Sequence, residues 1–274
     1  MALAKPGIVR MVVLTAAVGF AVGVAPGRWG VLPWLLVGTA LVAGGTNALN
    51  QWWERNIDAR MVRTAGRPLP SGRLAAGPAL CWAVGLAVAG IWILRARTGP
   101  LTAWLAVGTL VSYVLVYTPL KTRTPHATLV GAVPGALPIV GGWTAAGGSL
   151  DAGAAGLFAL VFLWQIPHFL ALGHLYADDY RRGGIQLLGT ADPRAAGRQS
   201  LLYAVILLWA SMLPARLGAG ELYVLVAGLA GVALAVLAWR FAAAADRGAA
   251  RRLFLGSLAY LPVVLLVLVI DIRF

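Results

Sequence analysis

Residues 46–72 read TNALNQWWERNIDARMVRTAGRPLPSG, and within them a long apolar segment ends in carboxylates, amides and arginines. Asn50, Glu54 and Asp58 follow one another at intervals of four residues, so on an α-helix their side chains lie on one face. Each is about 6 Å from the previous one along the helix axis. Asn47 lies on the same face. Two carboxylates and an amide pointing one way at the end of a hydrophobic helix form a half-site for a hard divalent cation such as Mg2+.

A simpler interpretation is that the two acids pair with Arg55, Arg60 or Arg63 at a membrane surface. Their scarcity argues against it, because the chain has nine Asp and Glu residues and two of them share one face within five residues. Carboxylates next to a membrane segment are energetically expensive and usually functional. Arg63 and Arg67 follow on the next turns, or in the loop that the prolines after them impose.

The composition places the whole chain among polytopic membrane proteins. Hydrophobic residues make up 60% of the 274 residues, charged residues make up 11%, and the mean hydropathy is +0.83. No soluble domain is expected. A membrane-spanning helix needs about 20 apolar residues. Nine such spans are predicted, at 8–26, 32–52, 77–95, 100–118, 127–147, 153–174, 200–217, 221–240 and 253–271.

The net charge of +13 is explained by topology and not by a nucleic-acid partner, since no polar surface domain is present to bind one. With nine spans, all but five of the 22 Lys and Arg residues fall on one side. The positive-inside rule then predicts a cytoplasmic N-terminus, an external C-terminus and motif-bearing loops on the cytoplasmic side of a cell membrane. Lys5 and Arg10 introduce a first membrane helix and not a cleaved signal. The lone Cys81 excludes a disulfide framework.

The link after the fourth span, residues 112–129, reads SYVLVYTPLKTRTPHATL. Thr124 and Pro125 predict a helix cap followed by proline in the first turn of span five. Such a helix start presents free N–H groups, and Lys121 and Arg123 stand beside it, so an anion such as phosphate would fit there. The alternatives remain that the two cations only enforce topology and that His126 is structural.

Span six continues into a second acidic stretch, and residues 162–184 read FLWQIPHFLALGHLYADDYRRGG. Pro167 predicts a kink, which Gln165 and His168 flank inside the membrane. His174 and Asp178 are four residues apart, which predicts a shared helical face.

In the simpler interpretation, Asp178 and Asp179 are part of a solvated helix end and pair with the arginines that follow them. By topology, however, this stretch emerges on the same side of the membrane as Glu54 and Asp58. We therefore expect the two acidic clusters to face each other across a metal-bound diphosphate.

Carboxylates on two helices, with arginines and a lysine beside an apolar interior, suit a substrate with a diphosphate head and a hydrocarbon tail. Mg2+ and the basic residues would stabilise diphosphate as a leaving group, so that an allylic C–O bond could ionise. Two other classes remain open. A transporter of an anionic solute would place polar groups near the middle of the bilayer and contain inverted repeats. A structural assembly factor would leave both acidic clusters unexplained.

The three quoted stretches together resemble the UbiA-type intramembrane prenyltransferases. The superfamily motif Asn-x-x-x-Asp-x-x-x-Asp matches at Asn50, Glu54 and Asp58, and Asn56 stands where a further acid is common. Within the superfamily, residues 124–126, 167–169 and 178–180 resemble the haem O synthase subgroup. The resemblance covers nearly the whole chain. It implies one domain, residues 1–274, with an all-α fold of nine transmembrane helices around a central apolar cavity open to the cytoplasm.

The resemblance also implies a reaction, in which the farnesyl group of farnesyl diphosphate joins the 2-vinyl group of haem b, water adds, and haem o and diphosphate leave. A quinone precursor is the alternative acceptor. Haem a synthase or a terminal oxidase assembly would be downstream partners. The residues that would hold Mg2+ and diphosphate are Asn50, Glu54, Asp58, Asp178 and Asp179, with the four acids as metal ligands. The implied substrate-binding residues are Asn47, Arg63, Arg67, Lys121, Arg123, His126, Gln165, His168, His174, Tyr180 and Arg181.

Overall fold

The structure is a computed structural model that describes residues 2–273, and within this range it contains nine long helices and no strand. Each of the nine is long and apolar enough to cross a membrane, which confirms the predicted all-helical, multi-pass architecture. We number them α1 (Pro6–Gly23), α2 (Leu32–Asp58), α3 (Ala76–Arg97), α4 (Pro100–Leu120), α5 (Ala127–Ala145), α6 (Ala152–Leu175), α7 (Pro193–Ala210), α8 (Glu221–Ala244) and α9 (Arg247–Arg273).

Several helices begin with local signals that the sequence carries. Proline occupies the first turn of α1, α2, α4 and α7, where its missing N–H would have no intrahelical partner. Asp151 caps α6 by accepting hydrogen bonds from the Gly153 and Ala154 N–H groups. Asp192 caps α7 in the same manner. These caps satisfy backbone donors that would otherwise be unpaired at a helix start.

Consecutive helices pack against each other from α1 to α9, and α9 returns to contact α1 and α6. Close packing depends on glycines on helix faces. A Cβ added at Gly142 in α5 would overlap the Ala16 carbonyl of α1, and one at Gly45 in α2 would lie 2.7 Å from the Ala83 carbonyl oxygen of α3. Small residues thus allow the helix backbones to approach closely, as is common in membrane bundles.

A cavity of about 530 Å³ lies inside the bundle, in the size range typical of small-molecule sites. Its lining comes mainly from α1, α2, α4, α5, α6 and α9, and most of it is apolar. The largest buried hydrophobic cluster joins α5 to α9 with one face of α1, and a smaller one lies among α1 to α5. The bundle therefore encloses the central apolar cavity that the resemblance implied.

Two local predictions were wrong. First, α5 begins at Ala127, so Pro125 precedes the helix, and Thr124 Oγ1 accepts a hydrogen bond from the His126 N–H, 3.3 Å away. Second, α6 ends at Leu175, because Tyr176 leaves the helical conformation with φ −113° and ψ 24°. A separate short helix, Ala177–Gly183, carries the second acidic stretch. His174 and Asp178 therefore do not share the face of one helix.

Candidate active site

The last turns of α2 carry the first acidic element, which consists of Asn50, Glu54 and Asp58 and is buried as a unit. All three residues lie within one continuous helix, as their spacing predicted. Their relative exposures are 0%, 5% and 0%. Two carboxylates so far from solvent need positive partners, because an uncompensated buried charge is strongly destabilising.

The partners come from the loops that follow α2 and α4. Arg67 Nη1 lies 2.6 Å from Asp58 Oδ2, and Lys121 Nζ lies 2.8 Å from Glu54 Oε1. The simpler surface pairing is not observed, since Arg55 instead donates to the Trp52 carbonyl oxygen, 2.8 Å away. Each buried acid of α2 thus has one basic partner outside the helix.

Asn50 joins three segments of the chain. Its Nδ2 donates to Thr118 Oγ1 at 3.0 Å, and its Oδ1 accepts from Lys5 Nζ at 2.9 Å. Thr118 in turn donates to the Tyr113 carbonyl oxygen at 2.8 Å. Desolvation of the ammonium group, together with the charges of Arg67 and Lys121, lowers the pKa of Lys5 to about 7, although Glu54 and Asp58 act in the opposite direction.

Lys121 lies beside two tyrosines of α4. Its Nζ is 4.5 Å from the centroid of the Tyr117 ring and 5.9 Å from that of Tyr113. Both tyrosines belong to a π-helical segment, Ser112–Tyr117, a distortion frequent at functional sites. A Cβ at Gly131 would lie 2.5 Å from the Tyr117 ring, so only glycine leaves room for it. Although burial acts against it, the ion pair with Glu54 raises the pKa of Lys121.

The first acidic element fits a hard divalent cation. Asp58 Oδ1 is buried without a hydrogen-bond partner, while the other oxygen of that carboxylate contacts Arg67. An orphaned carboxylate oxygen is a suitable ligand for Mg2+. Within residues 2–273, however, no three His, Cys, Asp or Glu side chains lie close enough together to bind one metal ion.

The second acidic element is Asp178 and Asp179 on the short helix, and its contacts are of another kind. Asp179 Oδ1 accepts from the Val62 N–H at 2.8 Å, and its Oδ2 accepts from the Arg63 N–H at 3.1 Å. Arg182 Nη2 also lies 2.7 Å from Asp179 Oδ1. Although burial opposes the shift, these hydrogen bonds lower the pKa of Asp179. Asp179 therefore binds the loop that follows the first acidic element.

The surroundings of this loop reinforce the contact. The Arg63 guanidinium lies 5.2 Å from the centroid of the Tyr176 ring and 5.9 Å from that of Tyr180. Tyr180 is buried and packs with Met61 and Ile185. Burial raises the pKa of Tyr180. The two acidic elements thus meet at one end of the molecule, as the topology predicted, but through backbone contacts.

Three polar residues of the predicted site line the cavity, namely Asn47, Gln165 and His168. Gln165 Nε2 donates to the carbonyl oxygens of Ala132 and Val161, each 3.1 Å away. A Cβ at Gly135 would overlap the Gln165 amide, so this glycine makes room for it.

His168 is held in one orientation by its neighbours. Its ring stacks on Trp164 and Phe254, with centroid distances of 5.1 Å and 4.8 Å. Its Nδ1 lies 2.9 Å from Ser257 Oγ, and that hydroxyl donates to the Phe254 carbonyl oxygen at 2.7 Å. Because the Ser257 hydroxyl proton is used there, Ser257 accepts the bond from Nδ1–H. A neutral His168 ring then carries its lone pair on Nε2.

Other predicted residues lie away from the cavity. Arg123 and His126 are exposed, and His174 packs against Phe241 with a centroid distance of 5.4 Å. None of the three lines the cavity. Arg181 is exposed as well and pairs with Asp178.

Sequence reasoning missed Lys5, Thr118 and Ser257, which contact predicted site residues directly. Lys5 contributes to the charge pattern that predicts topology and, with Pro6, to the start of the first helix, and neither pattern predicts its contact with Asn50. Thr118 precedes a proline in the link that was already singled out. Ser257 had no local signal, because its role depends on α9 packing against α6.

A bundle of membrane-spanning helices that contains an apolar cavity, and that carries charge-paired carboxylates at the end of α2, has the features of an intramembrane enzyme. The family comparison agrees, because residues 12–259 match the model of the UbiA prenyltransferase family. The chain belongs to the UbiA prenyltransferase family and is a multi-pass membrane prenyltransferase.

Among curated proteins the chain is similar to bacterial enzymes that share one name. It is 41% identical over 284 residues to a protoheme IX farnesyltransferase of Solibacter usitatus, covering 98% of this chain and 97% of the relative. It is 45% identical over 282 residues to the protein of that name from Anaeromyxobacter sp., covering 99% and 92%.

Solved structures show the same fold at low sequence identity. A UbiA homologue from Aeropyrum pernix matches with a TM-score of 0.75 and 21% identity, covering 97% of this chain and 98% of that chain. A UbiA homologue from Archaeoglobus fulgidus, bound to GPP and Mg2+, matches with a TM-score of 0.67 and 15% identity at the same coverage.

Proposed function

We propose that the chain transfers the farnesyl group of farnesyl diphosphate to the 2-vinyl group of haem b and releases haem o and diphosphate. One observation carries the proposal: the 530 Å³ apolar cavity lies in a bundle whose buried carboxylates at the end of α2 are already paired with cations. The full-length similarity to proteins named protoheme IX farnesyltransferase supports haem b as the acceptor.

The diphosphate head would lie beside the first acidic element. Arg67 and Lys121 each form an ion pair there, and each has further N–H donors with which to contact phosphate oxygens. Asn50 would contribute amide hydrogen bonds. These groups are positioned before substrate arrives, so little reorganisation is needed when the C–O bond breaks.

Mg2+ would be held by Glu54 and Asp58, whose carboxylate oxygens are hard ligands, and it would supply positive charge to the departing diphosphate. The Archaeoglobus fulgidus homologue bound to GPP and Mg2+ supports this use of the metal in the family. The resemblance also implied Asp178 and Asp179 as metal ligands, and this remains untested. Both oxygens of Asp179 are used in protein contacts, which favours Glu54 and Asp58 as the ligands.

The cavity would guide the reaction after the farnesyl C–O bond breaks and its electron pair leaves with diphosphate. Apolar walls exclude water from the allylic cation until the vinyl π electrons form the new C–C bond. Water then adds to the resulting cation and loses a proton. Tyr113 and Tyr117 line the cavity, and the electron-rich faces of such rings can stabilise positive charge.

His168 is the best candidate to orient the haem. It lines the cavity, whereas His126 is exposed and His174 packs on Phe241. Its Nδ1 bond to Ser257 leaves Nε2 as the lone-pair donor, the arrangement that commonly orients a histidine toward a metal such as haem iron.

The charge distribution supports a topology with the N-terminus in the cytoplasm, the C-terminus outside and the diphosphate end of the cavity open to the cytoplasm. Residues 1–274 would then act as one domain in the cell membrane. Haem a synthase or a terminal oxidase assembly would receive the product.

The test is an assay of the purified protein in liposomes with farnesyl diphosphate, Mg2+ and haem b, in which the product is followed by mass. The expected result is haem o, and none after Mg2+ is chelated. Parallel samples replace haem b with 4-hydroxybenzoate, a quinone precursor. Prenylation of that compound without haem o would refute the acceptor and keep the prenyl transfer, whereas failure to consume farnesyl diphosphate with either acceptor would refute both.

A binding measurement checks the haem assignment separately. His168→Ala is expected to change the optical spectrum of bound haem b, while His174→Ala is expected to leave it unaltered. The opposite pattern would contradict the role given to His168.

A further inference from the structure

The segment before α1 folds back against the active site. Residues 2–5 lie beside α2, where Leu3 is buried with Ala48 and Leu69. Gln51 Nε2 donates to the Leu3 carbonyl oxygen at 2.7 Å. Gln51 follows Asn50 directly, so the segment is anchored next to the first acidic element.

Lys5 at the end of this segment has an unusual backbone. It adopts the left-handed conformation, with φ 49° and ψ 70°, although it is not glycine and precedes Pro6. Such conformations are costly and persist where surrounding contacts enforce them, often at functional sites. Here the conformation coincides with the hydrogen bond from Lys5 Nζ to Asn50 Oδ1 at 2.9 Å.

The balance of charges around Lys5 indicates its function. Arg67 offsets Asp58 and Lys121 offsets Glu54, one for one. Among the described ion pairs, none uses Lys5, and its ammonium group donates instead to the neutral amide of Asn50. A diphosphate ester carries more negative charge than one Mg2+ neutralises, so a cation beyond the two pairs is needed to balance it.

We propose that Lys5 is a diphosphate-binding residue, which the segment 2–5 holds against Asn50 in readiness for the phosphate oxygens of the prenyl donor. This inference rests on the proposed function and adds a residue to its donor site. The competing explanation is that Lys5 only enforces membrane topology or anchors the N-terminal segment.

The test measures binding of inorganic diphosphate with Mg2+ to the purified full-length protein by calorimetry, without any acceptor. Lys5→Met removes the charge, Lys5→Gln removes it but keeps a donor for Asn50, and Lys5→Arg keeps the charge. Arg10→Met is the matched control, because Arg10 is exposed on α1 and carries the same topological charge.

Both Lys5→Met and Lys5→Gln are expected to weaken diphosphate binding roughly 10- to 100-fold, the usual effect of losing a charged hydrogen bond. Lys5→Arg is expected to stay within about threefold of wild type, and Arg10→Met should bind like wild type. Wild-type affinity in Lys5→Gln, or an equal loss in Arg10→Met, would overturn the inference.

The outcome is distinguishable from failure of the proposed function. Lys5-dependent diphosphate binding in a protein that makes no haem o would refute only the acceptor. Haem o formation by Lys5→Gln with a wild-type KM for farnesyl diphosphate would refute only the role of Lys5.

Discussion

The two acidic elements lie at the same end of the bundle but differ in burial and in their partners. The side chains of Glu54 and Asp58 are 7% and 1% exposed, and their cations come from 67 and nine residues away in the chain. Asp178 is 75% exposed and pairs with a residue three positions away. Buried pairs between a helix and a separate loop fix the relative positions of the two, whereas exposed pairs within one short helix contribute little.

Asp179 is buried like Glu54 and Asp58 but pairs with a nearby residue as Asp178 does. Its side chain is 8% exposed, and it accepts hydrogen bonds from the backbone N–H groups of Val62 and Arg63. It therefore holds the loop between Asp58 and Arg67. These contacts suggest a division of roles under the proposed function, in which the first element would bind the metal and the diphosphate and the second would position the loop that carries Arg67.

The largest effect is expected for Asp58→Asn, which removes the carboxylate charge proposed to bind Mg2+ and leaves Arg67 without its counter-charge. Haem o formation should fall about 100- to 1,000-fold, as for other losses of transition-state electrostatics. Initial rates in liposomes measure it, and Glu221→Gln, at an exposed acid on α8, is the control. A loss under about tenfold would contradict the assignment.

The contribution of the buried Glu54–Lys121 pair can be measured from the free energy of unfolding. Glu54→Gln or Lys121→Met alone leaves a buried charge uncompensated and should cost roughly 3 kcal/mol in the free energy of unfolding. The double variant should cost clearly less than the two single costs added together. Denaturant unfolding in detergent measures the cycle. Strictly additive costs would mean that the pair is not coupled.

Asp179→Asn should act through the loop. The KM for farnesyl diphosphate is expected to rise about tenfold, because weakened hydrogen bonds to Val62 and Arg63 loosen the segment that carries Arg67. The Mg2+ requirement should not change, and hydrogen exchange should accelerate at residues 59–65. A raised Mg2+ requirement with unaltered exchange would instead make Asp179 a metal ligand.

The smallest effect is expected for Asp178→Asn. Its exposed pair with Arg181 is of a kind that contributes about 0–1 kcal/mol, so the rate should stay within about twofold of wild type. The rate of haem o formation by Asp178→Asn, measured in parallel with that of Asp58→Asn, checks this. A loss as large as that of Asp58→Asn would remove the distinction between the two elements.

Most of the fold could be predicted from the sequence, because each span is an apolar run of sufficient length. The bounds were less accurate where tertiary contacts decide them. The apolar run of the second span was predicted to end at residue 52. The helix itself continues to Asp58, as the spacing of Asn50, Glu54 and Asp58 predicted, and the polar residues of its last turns are buried by partners from elsewhere in the chain. The break at Tyr176 was missed because neither glycine nor proline marks it.

The site could be predicted only in part. Spacing was sufficient to place Asn50, Glu54 and Asp58 on one face, because that depends on local geometry alone. The partners were not predictable, since Lys121 reaches Glu54 only through the packing of α4 near α2. Lys5 was assigned to topology for the same reason: its contact with Asn50 spans 45 residues.

The proposed reaction and the roles of the two acidic elements are tested together by one mass-spectrometric measurement of haem o formed from haem b, farnesyl diphosphate and Mg2+ in liposomes. Wild type, Asp58→Asn and Asp178→Asn are compared at equal amounts of folded protein. We expect haem o from wild type and Asp178→Asn and almost none from Asp58→Asn. Haem o from Asp58→Asn at the wild-type rate, or none from wild type, would contradict it.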